Sequence, residues 1–388
     1  MSVFEPTTVL AILQSLQPPA ERKKFVKDWK ANVDSRVTSW TTNRKKSNQS
    51  IVPEQLVFEA NVVAYVTHLS SLVSTKKKGA PLGRLPDSVP IYGPRFSPPT
   101  LNNVLKRDPS GASITPALLY IKPVNVVHPF YYPTEMNKCP RCHSVDFKWN
   151  GWTGDGSCDV HGVAFEETAI GTQLRCHTCK HNKDDNGNPM PHCFATTSNL
   201  FWDQVPHWEL PRDLPHFRYQ CALTRELYNL IIETRISGTS AGLAEHIKQL
   251  HLLEYQKRIL EYLKYFQLCP TSSLTPPILE LFSDRINESG YNDTLVSDQI
   301  ITAVLLQFSA TRQEESGTFM KSLTGRVLSL DATFRAASKA TISDSSKTRG
   351  TMITGGILSV INELSETLAW RYCHTQSTDE ISELLLAL

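Results

Sequence analysis

The stretch that decides the fold runs from Cys139 to Cys179. It begins with Cys139-Pro-Arg-Cys142 and ends, after thirty-three further residues, with Cys176-His-Thr-Cys179. Each Cys-x-x-Cys pair forms a tight turn that directs two thiolates at one metal ion. Two such turns together supply the four sulfur ligands of a structural zinc site. The spacing suits a zinc ribbon, in which each turn caps a β-hairpin, so we predict one Zn²⁺ per chain.

Other metal-ligating side chains lie inside or just beyond this window, and the sequence leaves their role open. Any of them can replace a cysteine or hold a second metal: His143, Cys158, His161, His177, His192 and Cys193. A redox Cys-x-x-Cys needs only one pair inside a thioredoxin-like unit, and no such unit precedes this stretch. Four thiolates are the simplest closed set of ligands.

The bulk properties restrict the class of protein. A chain of 388 residues is long enough for two or three domains, and its net charge of +2 does not indicate a globally basic nucleic-acid binder. Nine cysteines, four of them in metal spacing, point to a reducing compartment. Because we find no secretory signal in Met1–Thr8 and no apolar run near the roughly 18 residues of a membrane span, we expect a soluble intracellular protein without a membrane partner.

Residues 1–75 read as a helical, basic region. Apolar residues predict helices over Val9–Leu16 and Leu56–Val73. Between them lies a basic segment in which Trp29 and Trp40 are interleaved, a pattern that suits nucleic-acid binding or nuclear import, but also a solvated helix face with tryptophan packed beneath. The candidate DNA contacts are Arg22, Lys23, Lys24, Lys27, Arg44, Lys45 and Lys46.

The middle of the chain divides into three segments. Residues 76–116 are rich in Pro and Gly and predict a linker. Residues 117–215 form the predicted zinc-ribbon domain, with strands over Leu118–Val127 and Val163–Leu174. Residues 216–315 form the predicted helical domain, in which Ser237–Ser240 interrupts a helical period that runs from Tyr219 to Phe266. Helix, short turn and helix is the pattern of a DNA-binding helix-turn-helix and of any helical hairpin, and both interpretations stay open.

The last segment, residues 320–388, predicts strands followed by a helix. Arg326–Asp331 is a short alternating strand that ends in a carboxylate, and Thr333–Ile342 reads as its hairpin partner. Thr351–Ile361 is a third extended run, which Glu366–Cys373 extends or pairs with. A capping box at Ser377–Glu380 opens the final helix. The predicted fold class is therefore α+β and multi-domain: a zinc ribbon, a helical middle region and a β-β-β-α segment.

Taken together, these stretches resemble a known family. The chain is similar to the zinc-ribbon DDE-type transposases of fungi, of the Mutator-like or Kyakuja-Dileera-Zisupton kind. The matching stretches are the two cysteine pairs, the Ser-Gly-Thr-Ser-Ala-Gly-Leu-Ala block and Ser-Leu-Asp-Ala-Thr-Phe, in that order. The resemblance runs from about residue 125 to the end, and the first 75 residues lie outside it.

The resemblance implies an RNase H-like catalytic fold in which carboxylates hold two Mg²⁺ ions at the scissile phosphate. Asp331 matches the first acidic residue of the family. The family's other acids follow later elements, which we expect to be missing because the chain stops at Leu388. The nearest acids match none of the family positions: Asp344, Glu363, Glu366 and Asp379. Asp331 is alternatively an ordinary strand-end carboxylate.

Three functions follow as hypotheses. The first is a nuclear, transposase-derived zinc- and DNA-binding protein whose nuclease domain is incomplete and inactive, with an open sheet edge that favours self-association. The second is a zinc-stabilised protein-interaction module without a nucleic-acid role. The third is a Mg²⁺-dependent DNA nuclease completed by another chain.

Overall fold

A computed structural model gives the fold. It describes residues 2–74, 83–107, 115–183, 187–203, 205, 209–218, 221–235, 238–268, 279–323, 325–333, 341–343, 349–352, 356–373 and 377–386. The chain divides into two units, Met1–Val304 and Leu305–Leu388. Helices and strands occur in both units, so the structure is mixed α+β, with a larger mixed sheet in the first unit and a separate small sheet in the second.

The described helices are α1 (Pro6–Leu16), α2 (Arg22–Lys46), α3 (Pro53–Val73), α4 (Leu101–Arg107), α5 (His177–His181), α6 (Asn199–Trp202), α7 (Arg225–Thr234), α8 (Ser240–Leu268), α9 (Asp298–Thr311), α10 (Gln313–Ser322) and α11 (Thr378–Leu386). The strands of the first unit are β1 (Ser2–Val3), β2 (Arg95–Ser97), β3 (Val124–Val127), β4 (Phe147–Trp152), β5 (Cys158–His161), β6 (Glu167–Cys176), β7 (Cys193–Ala195), β8 (His216–Phe217) and β9 (Ala222–Leu223). Those of the second unit are β10 (Leu328–Thr333), β11 (Thr341–Ser343), β12 (Arg349–Met352), β13 (Gly356–Asn362) and β14 (Thr367–Cys373).

The ten-residue strand β6 organises the first unit. Its first half lies between β3, which is parallel to it, and β5, which is antiparallel. Its second half lies between β4 and β7, both antiparallel. At the midpoint a Cβ on Gly171 would come within 2.6 Å of Thr196 Oγ1, so the strand passes the end of β7 where a side chain has no room. One strand therefore joins the cysteine turns to the rest of the sheet.

The first three helices pack into one core with this sheet. Helix α3 buries most of its length, including Leu56, Val62, Tyr65 and Leu69. Both apolar helices begin earlier than predicted because a proline occupies the first turn of each. By length and composition alone, α3 is long and apolar enough to cross a membrane, contrary to our reading of the sequence, but 56% of its apolar window is buried inside the protein.

Both tryptophans of the basic helix α2 belong to this core. Trp29 is 5% exposed and its indole N–H donates to Asn61 Oδ1 (3.0 Å). Trp40 is 2% exposed and donates to the carbonyl of Thr153 (3.3 Å). Since their faces are covered by protein, these rings cannot stack on bases. The structure therefore agrees with a solvated helix face above packed tryptophan.

The segment predicted as a linker is partly built into the sheet. Within it, residues 76–82 and 108–114 lie outside the described residues. Strand β2, however, pairs with β1 on one side and β3 on the other, and its Phe96 is fully buried. The predicted linker thus contributes an inner strand, which is possible because Pro94 and Pro98 flank the three paired residues and interrupt none of them.

Two predicted strands are shorter or shifted. Of Leu118–Val127, only Val124–Val127 is a strand, since a 3₁₀ turn covers Pro116–Leu119 and Pro123 cannot donate to a ladder. The strand expected over Val163–Leu174 begins at Glu167 and continues to Cys176.

The helical region has the predicted helix-break-helix form from Arg225 onward, but its predicted start at Tyr219 is wrong, because Ala222–Leu223 is strand β9. Thr224 caps α7 by accepting a hydrogen bond from the Leu227 N–H (3.2 Å). Helix α8 then runs for 29 residues, and Ile247, His251 and Tyr262 face the core. Ser237 and residues 269–278 lie outside the described residues. The prediction of mixed helix over residues 278–315 is wrong for its first half, since the described residues 279–297 contain no helix, and helices α9 and α10 follow from Asp298.

The second unit contains an antiparallel sheet in the order β10-β13-β14 and a separate β11–β12 hairpin. Helix α11 covers one face through Leu384, which packs with Leu358, Val360 and Cys373. The predicted partner of the first strand is wrong: β10 pairs with β13 over six residues, while β11 pairs with β12. Residues 334–340, most of the predicted partner, lie outside the described part.

Candidate metal centre

The two cysteine turns meet at one end of the ribbon formed by β4, β6 and β7. Strand β6 ends at Cys176, which is also the N-cap of α5, and its Sγ accepts the Cys179 N–H at 3.4 Å. The other turn precedes β4, and the His143 N–H donates to the carbonyl of Cys139 (3.0 Å). His143 closes this turn with a φ of 56°. Both turns thus point their sulfurs inward.

The spacing of the sulfurs fits a tetrahedral metal site. Cys139 Sγ lies 3.8 Å from Cys179 Sγ, and Cys142 Sγ lies 3.5 Å from Cys176 Sγ. All four sulfurs lie within 4.8 Å of one another. A tetrahedron with Zn–S bonds of about 2.3 Å has S–S edges of about 3.8 Å, whereas a disulfide requires about 2.05 Å. The four cysteines could therefore hold a metal such as zinc.

The thiols are held in a largely dry environment. Cys139, Cys176 and Cys179 are buried, and Cys142 is half-buried. Burial raises the pKa of Cys139 and of Cys179. For Cys142 desolvation acts in the same direction, but hydrogen bonds from the Ser144 amide and the neighbouring cysteines outweigh it and lower the pKa. A bound dication would hold all four groups as thiolates.

An apolar layer packs against the cysteines. It is formed by side chains from β6, β7, α6 and the segment before the first turn: Tyr132, Met136, Leu174, Phe194, Phe201 and Trp202. The Arg141 guanidinium lies over the Phe194 ring, 5.6 Å from its centroid.

The other predicted ligands separate into two groups. Cys158 Sγ contacts the carbonyl of Ala169 at 3.6 Å, and His161 Nδ1 contacts Glu166 and the carbonyl of Thr294. Both side chains therefore form other contacts and are not part of the four-cysteine group. His143, His177, His192 and Cys193 belong to the ribbon but are not part of the four-cysteine group.

The residues predicted to contact DNA also fall into two groups, arginines that bind backbone carbonyls of the protein and exposed lysines. Arg22 donates to the carbonyls of Ser15 and Gln17, where it closes the end of α1. Arg44 donates to the carbonyls of Ser50, Asp155 and Ser157. The remaining side chains are exposed on α2: Lys23, Lys24, Lys27, Lys45 and Lys46.

Asp331 lies within β10, opposite Ser359, and is exposed. Among the described residues, the potential metal ligands form two groups of three or more, and Asp331 is in neither. Glu363 accepts the N–H of Val327 and Glu366 accepts the side-chain amide of Asn362, both at the β13–β14 turn. Asp379 is in the first turn of α11, and Asp344 lies outside the described residues.

The second group was missed by sequence reasoning. It consists of Glu166, His251 and Asp293, all buried. These residues come from the turn before β6, from α8 and from the segment before α9, and no short spacing joins them. In the sequence, this group could have been suggested by His251, a histidine on the apolar face of α8.

No protein-family model, no curated protein and no solved structure matches the chain.

Proposed function

We propose that this protein is a zinc-ribbon DNA-binding protein related to the DDE-type transposases that its sequence resembles. It would bind duplex DNA weakly and mostly without sequence preference, through two basic surfaces of the first unit. The observation that supports this most is the excess of positive charge around the four-cysteine cluster.

The metal end of the ribbon comprises residues 135–149 and 174–183. It contains two acidic side chains, Glu135 and Asp146. Its cationic side chains are six: Lys138, Arg141, Lys148, Arg175, Lys180 and Lys183. The cations thus exceed the acids by four charges. One Zn²⁺ with four thiolates has a charge of −2, which offsets only half of this excess. The positive charge that remains suits contacts to phosphate.

Helix α2 provides the second basic surface. It contains nine Lys and Arg residues and two Asp residues. Arg22, Lys23 and Lys24 stand in its first turn, where the helix dipole disfavours positive charge. An anion bound there would relieve this repulsion. Lys23, Lys24, Lys27 and Lys30 are exposed and available for such contacts.

The test is DNA affinity measured by fluorescence anisotropy over a range of salt concentrations. We expect log affinity to fall linearly with log salt, because each neutralised phosphate releases counterions. Replacing Lys23, Lys24 and Lys27 with Gln should reduce the slope by up to about 0.9 for each phosphate that is no longer neutralised. The control replaces two exposed lysines outside both basic surfaces and outside α8, Lys106 and Lys321, and should leave the slope unchanged.

A slope near zero in the intact protein would contradict DNA binding and favour the zinc-stabilised interaction module. Cleavage of DNA that depends on Mg²⁺ or Mn²⁺ would favour the nuclease completed by another chain. Under the present proposal Mg²⁺ has no role, the protein acts in the nucleus, and self-association through the edge of the β10-β13-β14 sheet is a further expectation.

A further inference from the structure

The buried group Glu166, His251 and Asp293 lies apart from the cysteine cluster and has no part in the proposed DNA binding. The side chains of His251 and Asp293 are each 1% exposed, as is that of Glu166. The group joins three parts of the first unit: the turn between β5 and β6, the middle of α8, and the segment before α9. Its potential ligand atoms lie within 4.8 Å of one another.

His251 faces a hydrogen-bond acceptor on both sides of its ring. Nδ1 lies 2.7 Å from Asp293 Oδ1, and Nε2 lies 3.1 Å from the carbonyl oxygen of Gly162. A neutral imidazole has one N–H and can satisfy only one of these contacts, whereas the imidazolium satisfies both. We propose that His251 is a buried imidazolium, which fastens α8 to the β5–β6 turn and to Asp293 and releases them as the pH rises.

Several charged groups face the ring or its neighbours. They pair as Arg285 with Asp293 (3.4 Å), Lys122 with Asp159 (4.0 Å), Arg258 with Glu254 (3.2 Å) and His161 with Glu166 (3.1 Å). Burial raises the pKa of Glu166, which reduces the negative charge of that side chain. The carboxylate that faces the ring directly is Asp293.

The short contact also favours a proton over a metal. Two ligands of a tetrahedral zinc at about 2.0–2.1 Å would lie about 3.3 Å apart, but Nδ1 and Oδ1 are separated by 2.7 Å. That separation is typical of a charge-assisted hydrogen bond.

Two carboxylate oxygens complete the site. Glu166 Oε2 and Asp293 Oδ2 are buried without a hydrogen-bond partner among the described residues. Both side chains line a cavity of about 10 Å³, which is the size of one water molecule. A water in this cavity would donate to these oxygens and leave the ring proton in place.

The direction of the pH effect follows from linkage. Desolvation opposes the charge on His251, but its hydrogen bonds to Asp293 and Gly162 outweigh desolvation and raise its pKa above 6.5. A raised pKa gives stability that is complete below pH 6.5 and is lost as the pH rises through the folded-state pKa. The pKa of His161 is raised for a similar reason, so it adds an effect of the same sign.

The experiment compares the wild type with His251→Gln and with His246→Gln, which removes an exposed histidine of the same helix. Nitrogen NMR of ¹⁵N-histidine over a pH titration should show that one ring keeps both nitrogens protonated to higher pH than His246, above the ordinary histidine pKa of about 6.5. Because the pKa of His161 is also raised, the ring is assigned to His251 by the absence of its titration in His251→Gln and its presence in His246→Gln. The loss of unfolding free energy above pH 6.5 should be smaller in His251→Gln than in the other two proteins.

Asp293→Asn provides a second variant if His251→Gln does not fold. It should shift the titration of the doubly protonated ring to lower pH, because the carboxylate that stabilises the charge is gone. The proposal is overturned if the His251 ring of the wild type loses its second proton at or below the ordinary histidine pKa of about 6.5. It is also overturned if the protein binds a second zinc that His251→Gln or Asp293→Asn removes.

Discussion

Arg44 and Lys45 are neighbours in the same basic run, yet the structure gives them different surroundings. Arg44 lies beside the buried carboxylate of Glu59, which accepts hydrogen bonds from Gln55 (2.8 Å) and Ser157 (2.7 Å). Burial raises the pKa of Glu59, and the nearby Arg44 charge opposes that rise. Lys45 is exposed. Arg44 therefore stabilises the fold, while Lys45 is available to a ligand.

We expect Arg44→Gln to lower the free energy of unfolding by about 1–3 kcal/mol, because it removes several hydrogen bonds from a charged donor, most of them part-buried. Lys45→Gln should leave stability within about 0.5 kcal/mol of wild type and weaken DNA binding slightly. Urea denaturation and anisotropy measure the two effects. Unchanged stability in Arg44→Gln, together with the larger decrease in DNA affinity, would show that Arg44 binds DNA instead.

The sequence could not separate these two residues. Arg44 reaches the carbonyls of Asp155 and Ser157 across 111 and 113 residues of chain. Composition reports only that the run is basic. In contrast, the clustering of the four cysteines could be predicted, because the two halves of that group each have a short spacing.

At the scale of elements, helices were easier to predict than strands. The periodicity of α1, α3, α7 and α8 depends on residues a few positions apart. The limits of β6 depend on which strands pair with it, and these come from both sides of it along the chain. For the same reason β2 was mistaken for linker: three residues between prolines have no local signal for a strand.

For the small sheet of the second unit we predict that this chain alone does not cleave DNA. Two-metal phosphoryl transfer needs several carboxylates around both ions. Among the described residues, Asp331 belongs to no group of three potential ligands. Its side of the sheet has Ser359 and Trp370 as cross-strand neighbours.

The assay incubates the protein with labelled duplex DNA in Mg²⁺ or Mn²⁺, beside an Asp331→Ala control. We expect both proteins to leave the duplex intact. Cleavage by the wild type that is abolished in Asp331→Ala would mean that its partner acids come from other residues of this chain or from a second subunit.

At the scale of the whole molecule, the N-terminal helices and the ribbon share one unit. The Gln55 side chain of α3 accepts the Lys122 N–H (2.7 Å) and donates to Thr168 of β6 (3.3 Å). These buried contacts join residues that the sequence assigned to separate domains. Local composition marks a Pro- and Gly-rich boundary, but it does not report hydrogen bonds formed across 67 or 113 residues.

The central claim is that the four cysteines hold one zinc ion around which the ribbon folds. Structural zinc contributes on the order of 10 kcal/mol of apparent binding energy in small modules of this kind. Loss of one thiolate should therefore release the metal and unfold the region from about residue 130 to 215. Cys193→Ser is the matched control, since Cys193 is an exposed ribbon cysteine outside the cluster.

The most direct measurement is the zinc content per chain of purified protein, determined by elemental analysis. We predict one zinc in the wild type and in Cys193→Ser, and none in Cys176→Ser or in the variant with Ser at positions 139, 142, 176 and 179. Zinc retained by the fourfold variant, or a wild-type protein that folds without any metal, would contradict the account.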